Sequence, residues 1–92
     1  MEDLYDLVLG ISCTLKGMKE TAEMEGIPIN LINEEPETFD FAKESISRLA
    51  LAVEGKTLGA VANILADEGI GTIVTRDDII FSYEDLTVEV RR

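Results

Sequence analysis

The feature that most constrains the fold is the stretch of residues 57–83, where a helical pattern stops at a glycine and two strand patterns follow. In residues 57–68, apolar side chains recur at the three- and four-residue spacing of an amphipathic helix, and Gly69 is a typical helix stop. Residues 70–75 and 78–83 are short runs rich in β-branched residues, separated by a polar turn. We therefore predict a helix that leads directly into an antiparallel hairpin.

A third strand pattern comes after a second short turn. Leu86, Val88 and Val90 alternate with polar residues over positions 86–91, which is typical of a strand with one buried face and one solvated face. Residues 70–91 therefore predict a three-stranded antiparallel meander.

The N-terminal segment, residues 2–25, carries two competing patterns. Its apolar residues recur every three or four positions, which predicts one long helix that ends at Gly26, but residues 7–15 also alternate as in a half-buried strand. Interior glycines weaken the helical interpretation by about 1 kcal/mol each relative to Ala. We favour the long helix, and the alternative is a strand over 5–15 followed by a short helix over 17–25.

The middle of the chain predicts one strand and one helix. Residues 27–32 are apolar and predict a short strand, in which Pro28 lacks an amide donor and so belongs at the start or on a sheet edge. Residues 37–54 give the clearest helical pattern in the chain. Because only residues 55–56 separate this helix from the next, we expect a tight helical corner in which Thr57 caps the following helix.

Together these segments predict an α+β fold, with three helices packed on one face of a small, mainly antiparallel four-stranded sheet. Ninety-two residues make one compact domain, residues 1–92, with no room for a second core. The core should be mostly aliphatic, because the chain has no Trp and few other aromatic residues. Its predicted members are Val8, Ile11, Leu15, Ile29, Leu31, Phe39, Ile46, Leu49, Val53, Leu58, Val61, Leu65, Ile73, Ile79, Phe81 and Val88.

The charge balance limits the classes of partner. Nineteen acidic residues against eight basic ones give a formal net charge of −11, so the phosphate backbone of a nucleic acid should be repelled. Cations, basic protein surfaces, or a second copy meeting through a locally neutral face are the expected partners. A single cysteine, Cys13, and an acidic N-terminus predict a cytoplasmic protein, and no apolar run approaches the roughly 20 residues of a membrane helix.

The residue types needed for most catalytic sites are missing. The chain has no His and one Cys, which excludes Ser-His, Cys-His and Zn-His arrangements. Gly69 and Gly71 lead into a strand rather than a helix, so they do not form a phosphate-binding loop. An enzyme is therefore not favoured, and no catalytic or cofactor-binding residue is assigned.

A candidate cation site follows from the predicted topology. The helix 57–68 ends at Asp67 and Glu68, and the returning strand brings the turn at Glu84 and Asp85 back to the same end of the sheet. Four carboxylates would meet beside helix C-terminal carbonyls, which are themselves partly negative. Oxygen ligands of this kind suit Ca²⁺ or Mg²⁺. We therefore name these four residues as a possible divalent-cation site.

A candidate self-association face lies on the N-terminal helix. Gly10, Thr14, Gly17 and Thr21 follow a 4-3-4 spacing beside the apolar stripe. Small side chains in a row allow a second helix to approach closely, and a small core cannot easily cover a helix of this length. We therefore predict self-association through these four residues.

Two outlines in the second half resemble known folds. Two helices joined by a tight corner and followed by a hairpin resemble a winged-helix domain, but the second helix carries Asn63, Asp67 and Glu68 where a DNA-reading helix carries cations. The passage from Leu58 to Ile70 resembles the helix-to-strand passage of small regulatory ligand-binding domains of the ACT type. Each resemblance implies a regulatory domain, and neither assigns a family.

The sequence therefore predicts a small, acidic, non-enzymatic interaction or regulatory module that self-associates. The alternative is a divalent-cation binding protein that uses the four carboxylates. A winged-helix-like or ACT-like regulatory domain is the third possibility.

Overall fold

The computed structural model describes residues 4–34, 36–54 and 58–92. The fold is α+β, and three α-helices pack with a three-stranded antiparallel sheet. In chain order the elements are α1 (Leu4–Glu25), a 3₁₀ helix (Ile29–Glu34), α2 (Pro36–Glu54), α3 (Leu58–Asp67), β1 (Ile70–Val74), β2 (Asp78–Tyr83) and β3 (Leu86–Arg91). The expected corner at residues 55–56 and the Thr57 cap lie outside the described residues.

The N-terminal segment is one helix, which confirms the favoured interpretation over the strand at 5–15. It ends in a Schellman motif: Gly26 adopts a φ of 71°, and the Ile27 amide donates to the carbonyl of Ala22 at 2.8 Å. The apolar stripe of this helix, which includes Ile11 and Leu15, is buried. The helical spacing outweighs strand-like alternation because it places every third or fourth side chain in the core.

The predicted strand at residues 27–32 is wrong, and this is why the sheet has three strands rather than four in the part of the chain that the structure describes. The segment instead forms the 3₁₀ helix, whose first turn is closed by the Leu31 amide donating to the Pro28 carbonyl at 2.9 Å. Ile29 and Ile32, three positions apart, turn toward the core together, as the 3₁₀ period requires. Pro28 has no amide for a strand ladder, so its carbonyl begins a turn.

The sheet has the order β1-β2-β3, and both pairs are antiparallel. Its register places Ile70 opposite Tyr83 and Phe81 opposite Val88. These residues belong to one face, most of which is buried, whereas the other face is exposed or half-buried. The helix α3 packs on β1, α2 packs on β3, and α1 lies against both helices. No helix in the described ranges is both long enough and apolar enough to cross a membrane.

Candidate functional site

The turn between β2 and β3 is held by a lysine from α1. The Lys19 ammonium pairs with the Glu84 carboxylate and lies 3.2 Å from Oδ1 of Asp85. One turn away, Lys16 Nζ lies 3.3 Å from Oε2 of Glu68, at the end of α3. Both ammonium groups also lie about 6 Å from the centre of the Tyr83 ring, at 6.0 Å for Lys16 and 5.8 Å for Lys19. We call these contacts the lysine clamp; it joins α1 to the end of the sheet.

The lysine clamp divides the four carboxylates that the sequence placed together. Glu84 and Asp85 share Lys19, Glu68 pairs with Lys16, and exposed Asp67 makes no ion pair among the described residues. Within the same residues, no group of three or more acidic or cysteine side chains is arranged to hold a metal ion. The negative charge at this end of the molecule is thus partly offset by two lysines of the chain itself.

The small residues of α1 face α2, and the first of them is in contact with it. A Cβ added at Gly10 would lie 3.0 Å from Cδ1 of Leu49, so this glycine is what lets α2 approach closely. The Thr14 hydroxyl donates to the Gly10 carbonyl at 2.7 Å. A Cβ added at Gly17 would meet no atom within 4 Å. The stripe predicted for self-association is therefore filled at one end by the same chain and open further along.

The open part of this contact is a groove of about 300 Å³ between the second half of α1 and the first half of α2. The two helices are antiparallel here, since Gly10 meets Leu49 at one end while Thr21 and Thr38 line the other. We call it the α1–α2 groove, and its lining residues are Thr14, Gly17, Met18, Thr21, Thr38, Phe39, Phe41, Ala42 and Ser45. None of these side chains is ionisable, in a chain of which 29% is charged.

Phe39 and Phe41 have opposite surroundings in this groove. The Phe39 side chain is buried in the core and forms part of the groove floor, whereas Phe41 is 83% exposed. A phenyl ring exposed to this extent contributes little to the core, and it stands beside the open position at Gly17. Exposed aromatic rings beside an unfilled concave surface are typical of protein interaction sites.

Unpaired carboxylates flank the uncharged groove. Exposed acidic residues lie along the two helical segments that form it, and none makes an ion pair among the described residues. They are Glu20 and Glu25 on α1, and Glu37 and Glu44 on α2, each three or four positions from a residue that lines the groove. The lysines of the same α1 segment point to the other side, where they form the lysine clamp. The groove thus combines an apolar interior with negative flanks.

A second, polar depression lies at the end of the sheet where the chain terminates. It is lined by Asp77, Asp78, Glu89, Arg91 and Arg92, and Arg92 pairs with Glu54 of α2 and donates to the Thr75 carbonyl at 2.8 Å. Its acidic and basic groups are mixed, so it presents no single sign of charge to a ligand. We therefore take the α1–α2 groove as the candidate site.

Sequence reasoning missed two parts of this arrangement. Phe41 lies off the apolar stripe of α2 that contains Phe39, Ala42 and Ile46, and a large aromatic residue off the buried stripe is the signal that could have identified it. Lys16 and Lys19 lie three positions apart on one helix, so they share a face and could have been predicted to meet acids as a pair.

Comparison of the chain with protein-family models, with curated proteins and with solved structures gives no significant match. The function therefore has to be inferred from the groove, its charge and the surfaces around it.

Proposed function

We propose that this protein is a small, non-enzymatic interaction module whose α1–α2 groove binds a basic amphipathic helix of another protein. The observation that carries the proposal is the exposed ring of Phe41 beside the open position at Gly17, in a groove without ionisable side chains and with four carboxylates on the neighbouring turns of its helices. Burial of such a ring gives about 1.5–3 kcal/mol, which is enough to dominate a small interface.

The shape of the groove favours a helix as the ligand. Two antiparallel helices leave a concave channel along their contact, and a third helix completes such a pair by packing its own ridge into it. An amphipathic helix offers apolar side chains at three- and four-residue spacing for this purpose. The small residues Gly17 and Thr21 leave room for those side chains to enter.

The charges favour a basic ligand over a second copy of this chain. A helix with Lys or Arg beside its apolar stripe would place those cations near the acids that include Glu20 and Glu44. Such complementarity raises the rate of association and selects among partners. A second copy meeting this groove would instead bring together two acid-flanked surfaces of chains that each carry a net charge of −11.

Binding of two synthetic helices tests the proposal directly. The first is an 18-residue peptide with a Leu stripe and Lys on its polar face, and the second replaces every Lys with Glu. We expect the Lys peptide to bind and to shift the amide resonances of Gly17 and Phe41 most. Its affinity should decrease with added salt. Phe41→Ser should lower its affinity about tenfold, since loss of an anchoring ring removes about 1.4 kcal/mol or more.

A matched control distinguishes binding in the groove from nonspecific binding to exposed apolar side chains. Met24 is 79% exposed on α1 but does not line the groove, so Met24→Ser should leave the affinity unchanged. Equal loss of affinity in both variants, or equal binding of the Glu peptide, would rule out the groove as a specific site. If the unmodified protein has twice the monomer mass and Phe41→Ser is monomeric, a second copy occupies the face of Gly10, Thr14, Gly17 and Thr21 instead.

The divalent-cation hypothesis is tested in the same samples. If Asp67, Glu68, Glu84 and Asp85 bind Ca²⁺ or Mg²⁺, millimolar additions should raise the melting temperature beyond the effect of a monovalent salt at equal ionic strength. Lysine pairing of three of these carboxylates leads us to expect no such specific shift.

A further inference from the structure

The two edges of the sheet differ in their protection against pairing with another strand. In the described residues, β1 is an outer strand and pairs only with β2. Its ladder runs from Ile70 to Val74 without a bulge, and residues 69–75 include no charged residue and no proline. The opposite edge strand, β3, carries Glu89 and Arg91. Natural proteins place charges, prolines or bulges on edge strands to prevent pairing, and β1 has none of the three.

Apolar side chains of β1 are exposed. Ile73 is 57% exposed and Val74 is 45% exposed, although both belong to a strand of a small domain. Ile73 lies on the outer face of the sheet, where its cross-strand partner is the half-buried Ile80. An uncharged edge with exposed β-branched side chains is a surface on which an added strand gains both main-chain hydrogen bonds and apolar contact.

We propose that β1 pairs with β1 of a second copy, antiparallel and centred on Thr72, so that two chains share a continuous six-stranded sheet. A two-fold interface has to be complementary to itself, and this register meets that requirement. It places Ile73 opposite Gly71 of the second copy and Ile70 opposite Val74. A Cβ added at Gly71 would have its nearest neighbour, Cβ of Ser82, at 3.9 Å, so this position leaves space beside it for a large side chain from across the interface.

The absence of charge also favours β1 of a second copy as the strand that pairs with this edge. No ionisable group lies in the paired segment, so two chains of charge −11 can meet here without burying like charges. Just beyond the paired strands, the same register brings Arg76 of one copy toward Glu68 of the other and Asp77 toward Asp67, so each end of the interface has one attractive and one repulsive approach. Arg76 makes no ion pair in the part of the chain that the structure describes. The α1–α2 groove, with its acidic flanks, offers a second copy no comparable complementarity.

The centre of β1 contains an unsatisfied polar group. The Thr72 hydroxyl is buried and has no hydrogen-bond partner among the described residues. In the proposed register Thr72 lies directly opposite Thr72 of the second copy, and paired threonines across two strands can hydrogen-bond to each other after rotation of the side chain. This observation is independent of the exposed edge, and it marks the same residue as the centre of the interface.

Sedimentation equilibrium of the full chain is the first measurement. We expect a concentration-dependent mass that rises toward twice the chain mass of 10.1 kDa. Ile73→Lys introduces a charge at an exposed edge position and should raise the dimer dissociation constant at least about tenfold. Leu51→Lys makes the same chemical change at an exposed position on α2 and should leave that constant unchanged.

Cross-linking tests the register separately from the affinity. Directly opposed residues of antiparallel strands have Cα atoms about 4.5–5.5 Å apart, within the range that a disulfide spans. In a Cys13→Ser background, Thr72→Cys should therefore form a covalent dimer under mild oxidation, and Ile80→Cys, on the central strand, should not.

Three outcomes would overturn the proposal. They are a monomeric mass at every concentration, a dimer that Ile73→Lys and Leu51→Lys weaken equally, and a dimer that Phe41→Ser abolishes while Ile73→Lys leaves it intact. The peptide experiment on the groove does not depend on these results, so one proposal can fail without the other.

Discussion

The two sides of α1 differ in whether the acids near them have partners within the chain. On one side Lys16 and Lys19 reach across to Glu68, Glu84 and Asp85, so that these three acids have cationic partners within the same chain. On the other side small and apolar residues face α2, and the nearby carboxylates have no partner among the described residues. The first arrangement joins α1 to the sheet, and the second leaves an unfilled groove with unpaired carboxylates near it. In an acidic protein, the place where acids are not neutralised internally is the better candidate for a binding surface.

The largest expected difference concerns two phenylalanines of α2 that are two positions apart. Phe39→Ala should lower the free energy of unfolding by about 3–5 kcal/mol, because it leaves a cavity in the core. Phe41→Ala should change it by less than about 0.5 kcal/mol, because its ring is exposed. Urea denaturation of both variants checks the pair. A loss above about 1 kcal/mol for Phe41→Ala would mean that its ring supports the fold rather than a ligand.

The second prediction separates the filled part of the α1–α2 contact from the open part. Gly10→Val should destabilise the protein by about 1–3 kcal/mol, because its Cβ would already press on Leu49 at 3.0 Å. Gly17→Val should alter stability by less than about 0.5 kcal/mol, since nothing occupies that space. Thermal melts of the two variants give the comparison. Equal effects would show that the groove is closed at Gly17.

Much of the architecture could be predicted from the sequence because its signals are local. The periodicity of α1, α2 and α3 and the alternation in β3 each depend on residues within one element. Prediction from the sequence failed where packing or pairing with a neighbouring element determines which side chains are buried. Ile73 was predicted to be in the core, but pairing of Ile70 with Tyr83 turns the even-numbered residues of β1 inward and leaves Ile73 outside. Because β1 has apolar residues on both faces, its own sequence cannot fix that choice.

The candidate site was predicted in part, for a similar reason. Spacing alone placed Gly10, Thr14, Gly17 and Thr21 on one helical face, and the structure places three of them in the α1–α2 groove. Spacing could not show that Leu49 of the same chain fills the space at Gly10, since this depends on how α2 packs. The convergence of Glu84 and Glu68 toward α1 likewise needs the tertiary structure, because Lys16 and Lys19 are more than 40 residues away from both acids in the sequence.

The third prediction weakens the lysine clamp. Lys19→Met keeps the aliphatic stem but removes the ammonium from Tyr83, Glu84 and Asp85, and should lower the free energy of unfolding by about 1 kcal/mol at low salt. The freed carboxylates are exposed and stay hydrated, which limits the loss. Lys16→Met should cost about half as much, because Lys16 is the more exposed of the two and contacts one acid. When denaturation is measured in about 1 M NaCl, both losses of stability should be smaller, since the Debye length is then about 3 Å. Differences that persist at high salt would indicate packing rather than charge.

The smallest expected effect is that of salt on the melting temperature of the whole protein. Screening should act in opposite directions on the two sides of α1. Screening weakens the lysine clamp, but it also relieves repulsion among the unpaired carboxylates beside the groove. Because acids outnumber bases by nineteen to eight, relief should dominate, and the melting temperature should rise by a few degrees between about 0.01 M and 0.2 M NaCl. In Lys19→Met the rise should be larger, since the opposing contribution is removed. A melting temperature that falls with salt in the unmodified protein would mean that internal ion pairs outweigh repulsion, and the carboxylates beside the groove would then lose their role in attracting a basic helix.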